Sequence, residues 1–241
     1  MTDRTASGAP IGAIVHDWTA PPRPAGLSLE GRYARLDRLN ADVHAALLHR
    51  AFAGHDGLWD YMPNGPFASS AQYHRWVRDV EAGEDPVFYA IRNLENGGWE
   101  GVASYLRITP DAGTIEVGNI CFAPSLQRTR AATEAMHLMM QWAFEAGYRR
   151  YEWKCNALNA PSRRAAQRLG FSFEGVFRQA LVTKGRNRDT AWFAVIDKEW
   201  PALKEAFSTW LSPSNFDSHG RQRESLGDMT RLVRASSDPT L

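Results

Sequence analysis

From Gly31 to Leu36 polar and apolar residues alternate with the period of two that a half-buried strand requires. Asn40 then offers a side-chain oxygen to the first free N–H groups of a helix running through Phe52. Gly54 to Phe67, rich in glycine, proline and aromatic residues, reads as a loop. Ser69 or Ser70 opens a second helix that ends near Ala82, stopped by Gly83. Pro86 to Arg92 reads as a strand, and Glu95-Asn96-Gly97-Gly98 contains the Asn-Gly pair favoured in tight hairpins. That turn leads into a strand from Trp99 to Ile108, and a second turn at Pro110 to Gly113 leads into another from Thr114 to Phe122.

After this the period lengthens. Gln127 to Ala146 places Ala132, Ala135, Met136, Met139, Met140 and Ala143 three and four residues apart, the spacing of a helix face, and Gly147 is suited to close it. Tyr151, Trp153 and Cys155 alternate with Glu152, Lys154 and Asn156 in a further strand. A short helix follows from Pro161 to Leu169, ended by Gly170, and then a long hairpin of Phe171 to Thr183 and Asp189 to Ile196 around Lys184-Gly185-Arg186-Asn187. A last helix spans Glu199 to Leu211, with a shorter one possible over Ser225 to Val233. The fold class is α/β in the α+β sense, with antiparallel hairpins preceding a strand–helix–strand–helix core. The expected organisation is an extended arm over residues 1–27, one domain over 28–211, and a polar tail over 212–241 with little to bury.

With 241 residues, 44% of them apolar, and nine tryptophans, the chain can bury a large core. Its formal net charge of +1 gives no broad footprint for nucleic acid or an anionic membrane. Cys121 and Cys155 both fall in apolar strand patterns and read as reduced, buried thiols. There is no run of 18 or more apolar residues and no signal-peptide pattern, so the expectation is a cytoplasmic protein. The seven histidines form no metal-ligand spacing, and no metal is expected.

Asn159-Ala160-Pro161-Ser162 through Leu169-Gly170-Phe171, preceded by a strand, a loop and a long helix, resembles the Asn-x-x-Ser…Leu-Gly-Phe pattern of the GNAT acetyltransferases. Phe173-Glu174-Gly175-Val176-Phe177-Arg178, with Asp189 beyond it, is similar to the branch holding the ribosomal-protein N-terminal acetyltransferases (RimL-like). The resemblance covers about Leu29 to Leu211 and is strongest after Thr114. It implies a mostly antiparallel central sheet flanked by helices and splayed where the coenzyme binds. It also implies acetyl-CoA as co-substrate and a primary amine, on a small molecule or a protein N-terminus, as acceptor. Relatives are often homodimers, and no residue here decides the oligomeric state.

On this resemblance Gln127-Arg128-Thr129-Arg130-Ala131-Ala132 sits where the family's phosphate loop enters its long helix. Free N–H groups and the positive dipole end of a helix suit a pyrophosphate. Arg128 and Arg130 stand where glycine is usual. Their side chains either add charge-assisted contacts to the phosphates or weaken binding by bulk, and the segment alone is also compatible with an ordinary amphipathic helix. Asn159 is implied as a ligand of the pantetheine arm and Ser162 as a proton donor to the leaving thiolate, against simple helix capping for both. Arg163 is a phosphate candidate.

Glu116, among apolar neighbours, is the first candidate for the base that deprotonates the amine; the competing reading is a cross-strand partner for an arginine. Glu174 is the second candidate, against an ion pair with Arg178. The oxyanion donor is expected from backbone N–H groups near Cys121 or Phe122. Cys155 could in principle carry an acetyl group, but no histidine is placed to activate it. Trp59, Asp60, Tyr61, Tyr105 and Trp192 are expected to wall an aromatic acceptor pocket, with Asp60 holding the ammonium and ordinary core packing as the alternative for the rings. Two other readings differ in class: a catalytically weak acyl-CoA sensor, and a nucleic-acid or ribosome-associated protein using the C-terminal arginines.

Overall fold

The run Val87-Phe88-Tyr89-Ala90-Ile91 is apolar without a break, so a strand made of it must be covered on both faces. The computed structural model, which describes residues 2–26 and 28–241, is built around that requirement. A small exposed hairpin of β1 (Thr2–Arg4) and β2 (Pro10–Gly12) begins the chain. The main sheet opens with β3 (Leu29–Glu30) and β4 (Ala34–Arg38). A π-helical turn (Ala41–Ala45) runs into α1 (Ala46–Phe52), and α2 (Ser70–Val80) follows. Next come β5 (Val87–Asn93), β6 (Trp99–Thr109) and β7 (Thr114–Phe122), each joined to the next by a hairpin. The chain continues through α3 (Arg130–Glu145), β8 (Arg150–Asn156), α4 (Ala160–Arg168), β9 (Ser172–Thr183), β10 (Arg186–Ile196), α5 (Trp200–Leu211) and α6 (Leu226–Arg231).

Among the described residues the main sheet has eight strands in the order β3-β4-β5-β6-β7-β8-β10-β9. Every neighbouring pair is antiparallel except β7 with β8. Val87, Tyr89 and Ile91 face a core completed by Met136, Met139 and Met140 of α3 and by Leu203 and Phe207 of α5. Phe88 and Ala90 face a second core made with Leu48 and Phe52 of α1 and Tyr73 and Val77 of α2. β5 is thus covered on both sides, as its unbroken apolar run demands. No helix among the described residues is long and apolar enough to cross a membrane.

The predicted elements are present with shifted ends. α3 begins at Arg130, leaving Gln127 to Thr129 as the loop before it, because Thr129 is its N-cap, with Oγ1 accepting from the Ala132 N–H at 3.1 Å. The late hairpin turns on Lys184 and Gly185 alone, both with positive φ (50° and 72°), so β10 starts at Arg186. The arm is held by Pro21 and Pro24, which are buried, and by the Tyr148 hydroxyl donating to the Pro22 carbonyl at 3.1 Å.

Residues 212–241, expected to bury little, are packed against the domain. Leu226 is fully buried, and Phe216, Met229 and Val233 join the core beside α4 and α5. The Asn215 amide donates to the Trp210 carbonyl (3.0 Å) and accepts from the Glu224 N–H (2.8 Å). Asp238, itself buried, forms a two-pronged pair with Arg163 at 2.6 Å on each arm. The scattered apolar residues of this segment find their partners far back in the chain, which is why no local period announces them.

One buried carboxylate ties the first main strands to α3. Glu134 accepts the backbone N–H groups of Arg32, Tyr33 and Ala34 at 3.0, 2.5 and 2.7 Å. The carboxylate lies so close to Gly31 that a Cβ there would stand 2.4 Å from its Cδ. Glu134→Ala would leave three donors without an acceptor in a buried place. We expect it to lower unfolding stability by about 3 kcal/mol, read as a displaced denaturant midpoint.

Candidate active site

β7 and β8 are hydrogen-bonded side by side only from Thr114 to Val117 against Arg150 to Trp153. Beyond that the two strands part. β7 bulges against β6, its register slipping between Gly118 and Cys121, with Asn119 at a φ of 51°. The gap opens into two adjoining cavities, of about 1050 Å³ and about 260 Å³. They share Tyr61, Met62, Ile120, Trp153, Asn159 and Ser162.

The larger cavity receives the start of α3. The N–H groups of Arg128, Arg130 and Ala131 find no acceptor among the described residues, and the positive end of a 16-residue helix dipole adds to them. Arg128 has a φ of 62°, a conformation natural to glycine, and its side chain is exposed. Arg130 is the first residue of the helix, and its guanidinium is engaged within the protein. It pairs with Glu95 and lies 4.6 Å from the Tyr33 ring centroid and 4.8 Å from that of Phe216. Gln127 donates to the Phe122 carbonyl at 2.9 Å, which fixes the turn. Arg168 also lines this cavity. Its guanidinium donates to Thr133 Oγ1 at 3.1 Å and lies 4.9 Å over the Trp210 ring, with no carboxylate paired to it among the described residues. Burial lowers its pKa accordingly. Phe216, Gly220 and Gln222 of the C-terminal segment complete the wall.

At the junction of the cavities Asn159 caps α4, its Oδ1 accepting from the Ser162 N–H at 3.1 Å. The Ser162 hydroxyl oxygen accepts from the Trp153 indole at 3.0 Å, leaving its own proton free to donate. Burial raises the Cys155 thiol pKa, with the adjacent Ser162 hydroxyl opposing it, and pushes the Cys121 thiol up to about 12.

In the smaller cavity Glu116 is almost wholly enclosed, at 2% exposure. Arg107 Nη1 donates to both of its oxygens at 2.8 Å, and Lys154 Nζ lies 2.9 Å from Oε2. Burial raises the Glu116 pKa above the ordinary carboxylate value, and the attraction of Lys154 and Arg107 offsets only part of that. Lys154 also donates to Glu152 at 2.7 Å. Arg188 reaches the same space from β10.

The structure does not bring all the sequence candidates here. Of the aromatic wall, only Tyr61 lines the cavities, its hydroxyl donating to the Leu158 carbonyl at 3.4 Å. Trp59 is packed against Phe52, Phe67 and Tyr73 under the loop, and Asp60 is exposed outside both cavities. Tyr105 is fully buried in the core, donating to the Met139 carbonyl at 2.6 Å. Trp192 is stacked on Phe177 and lies beneath Lys154, outside both linings. Glu174 is exposed and held by Arg150 at 2.8 and 2.5 Å, not by Arg178. Arg163 is occupied by Asp238, and Ala131, whose side chain is buried, is in neither cavity lining; only its N–H, in the first turn of α3, is left without an acceptor among the described residues.

Comparison with known proteins places the chain in a family. Residues 35–172 match the family described as an acetyltransferase (GNAT) domain. A GCN5-related N-acetyltransferase from Brucella melitensis is 45% identical over 90% of this chain and all of its own, with a TM-score of 0.88. The chain belongs to the GNAT acetyltransferases. A probable GNAT-family acetyltransferase from Chromobacterium violaceum is 40% identical over 80% of this chain and 98% of its own (TM-score 0.76). The microcin C7 self-immunity acetyltransferase MccE, solved with acetyl-CoA and AMP, shares the fold at 19% identity over 69% of this chain and 93% of its own (TM-score 0.62). No curated protein sequence matches the chain.

Sequence reading passes over Arg107, Lys154, Arg168 and Arg188, which line the two cavities of this GNAT chain. The only signal was their placement in strands and a helix end beside the quoted motifs; each taken singly looks like an ordinary surface charge.

Both thiols should resist alkylation. At pH 8 the native protein should gain negligible carbamidomethyl mass from iodoacetamide on Cys121 and Cys155, while the denatured chain gains two. Rapid native labelling, read by mass spectrometry, would contradict the buried, protonated state.

Proposed function

We propose that this GNAT acetyltransferase moves the acetyl group of acetyl-CoA to a primary amine by direct attack. The observation that carries the reading is the row of free N–H groups at the start of α3, opening onto a cavity that adjoins a second one containing a buried carboxylate. The N–H groups of Arg128, Arg130 and Ala131 suit the coenzyme pyrophosphate, and Arg168 supplies an uncompensated charge for a phosphate. Asn159 and Ser162 stand where the two cavities meet, which suits the pantetheine arm and the thioester.

In the reaction the neutral amine nitrogen attacks the thioester carbon and the carbon–sulfur bond breaks; the products are an N-acetyl amine and coenzyme A thiol, the proton lost by nitrogen balancing the one gained by sulfur. Glu116, its pKa raised by burial, accepts the proton of the attacking amine. Ser162, whose oxygen is already held by Trp153, donates to the departing sulfur. Backbone N–H groups of the bulged β7 segment near Cys121 and Phe122 serve the developing oxyanion. Cys155 has no part: burial keeps it protonated, and Ser162 rather than a base adjoins it.

The test is thiol release from acetyl-CoA over a panel of primary amines, with an acetyl mass gain on the amine, beside calorimetric titration of acetyl-CoA. No binding at millimolar coenzyme would sink the reading. Arg168→Ala should weaken acetyl-CoA binding roughly 10-fold or more, the loss of one charge-assisted contact; unchanged affinity would remove Arg168 from the coenzyme site. Glu116→Gln should lower kcat about 10²-fold or more and abolish the acidic limb of the pH–rate profile, in which activity falls as Glu116 is protonated. A variant with near-normal kcat and an intact limb would leave Glu116 only as the partner of Arg107 and Lys154.

A further inference from the structure

Three cationic side chains, Arg107, Lys154 and Arg188, line the smaller cavity against one carboxylate, Glu116. Two of the three are answered within the protein. Arg107 binds Glu116, and Lys154 is shared between Glu116 and Glu152. Arg188 is not. Its guanidinium makes no hydrogen bond or ion pair among the described residues, and its Nε is buried without any acceptor. Burial lowers its pKa and the nearby Arg107 adds to that, while Cys155 and Glu116 pull the other way without restoring the ordinary value. A guanidinium left half-buried and unpaired is costly to keep unless something else supplies the anion.

The local backbone is shaped to hold it there. The pairing of β9 and β10 slips between Arg188 and Thr190, with Gln179 opposite at a φ of 50°. Asp189 fastens this irregularity by accepting from the Gln179 N–H at 2.7 Å and the Asn187 amide at 3.0 Å, while its carbonyl accepts from the Ala157 N–H at 2.8 Å. Lys184 at the hairpin tip donates to the carbonyls of Trp59 and Asn64, clamping the loop that carries Tyr61 over the same cavity. Arg188 therefore projects from a braced element, beside the carboxylate proposed as base.

We infer that the acceptor carries a carboxylate close to its amine, and that Arg188 holds that carboxylate in the smaller cavity. This deepens, and rests on, the assignment of that cavity to the acceptor. The volume of about 260 Å³ suits a small, amino-acid-like acceptor. One uncompensated positive charge matches a monoanion; a phosphate ester would bring about −1.5 to −2. The planar fork of Arg188 presents paired donors to the two carboxylate oxygens. The cationic wall also disfavours the ammonium form of the acceptor and favours the neutral amine that attacks. A protein N-terminus, whose first carbonyl is an amide, offers Arg188 a neutral acceptor and no charge.

The experiment separates this site from the transfer reaction. N-acetylglycine, the core of any N-acetyl α-amino acid product, is titrated into the protein–CoA complex alongside N-acetylglycinamide and inorganic phosphate. N-acetylglycine should bind, the amide should bind roughly 10-fold or more weakly, and Arg188→Gln should erase the difference while leaving acetyl-CoA affinity unchanged. Arg188→Lys should restore part of it, and because Arg188 has no bonding partners neither variant should lower the melting temperature much. In turnover, free amino acids should exceed their amides by a similar factor in kcat/KM, a preference that Arg188→Gln loses through KM. Equal binding of acid and amide, binding that survives in Arg188→Gln, no binding of N-acetylglycine at millimolar concentration, or tighter binding of phosphate would each overturn the inference. Arg188-dependent binding of N-acetylglycine with no thiol release from any amine would sustain the site and overturn the transfer reading. Thiol release with amides as good as acids would do the reverse.

Discussion

Four residue pairs, Thr114 to Val117 against Arg150 to Trp153, hold the two halves of the sheet together, and the site depends on their ending where they do. They are the parallel contact in an otherwise antiparallel main sheet. A parallel neighbour cannot be reached by a tight turn, so the chain has to cross over, and it does so through α3. The crossover sets the first turn of α3, with its free N–H groups, at the mouth of the gap. Had the pairing continued past Val117, the bulge at Asn119 would be zipped to β8 and both cavities would be closed. Loss of a few backbone hydrogen bonds between strands and gain of a binding cleft are thus the same event.

Charges in this protein fall into two groups. Those that join elements are answered: Glu134 by three backbone donors, Asp238 by Arg163, Arg130 by Glu95 and two rings. Among the described residues, those at the gap with no carboxylate partner are the exposed Arg128 and the half-buried Arg168 in the larger cavity, and the half-buried Arg188 in the smaller. The contrast matters because an unpaired buried charge opposes folding, and the same uncompensated field is what a bound anion would satisfy.

The parts of this organisation governed by neighbours in sequence were legible. The Asn96-Gly97 and Pro110–Gly113 turns, the long spacing of Ala132 to Ala143 and the Asn159-x-x-Ser162 junction each carry a local signal, and each element is present. What depends on contacts across the chain was not. Tyr105 and Trp59 are aromatic residues in strand and loop, as a pocket lining would be, but only knowledge of which sheet face is covered sends them into the core. The motif strand points Glu174 to the cleft, whereas the pairing of β9 turns it outward to Arg150. The cationic wall was invisible because residues 107, 154 and 188 come from three strands that only the finished sheet brings together. Its candidate base was readable, and so was the competing role as partner of a cross-strand arginine, which Arg107 fills; Lys154 as a second cation was not.

The C-terminal segment has one more consequence, for the order in which the molecule becomes complete. Phe216, Gly220 and Gln222 line the larger cavity, and α6 with Asp238 anchors that segment to α4. A chain growing from its N-terminus can pair every strand of the sheet and still lack one wall of this cavity. During synthesis the cleft therefore acquires its full shape only after the last strand has been made, when the C-terminal segment arrives to cover Trp210 and Arg168.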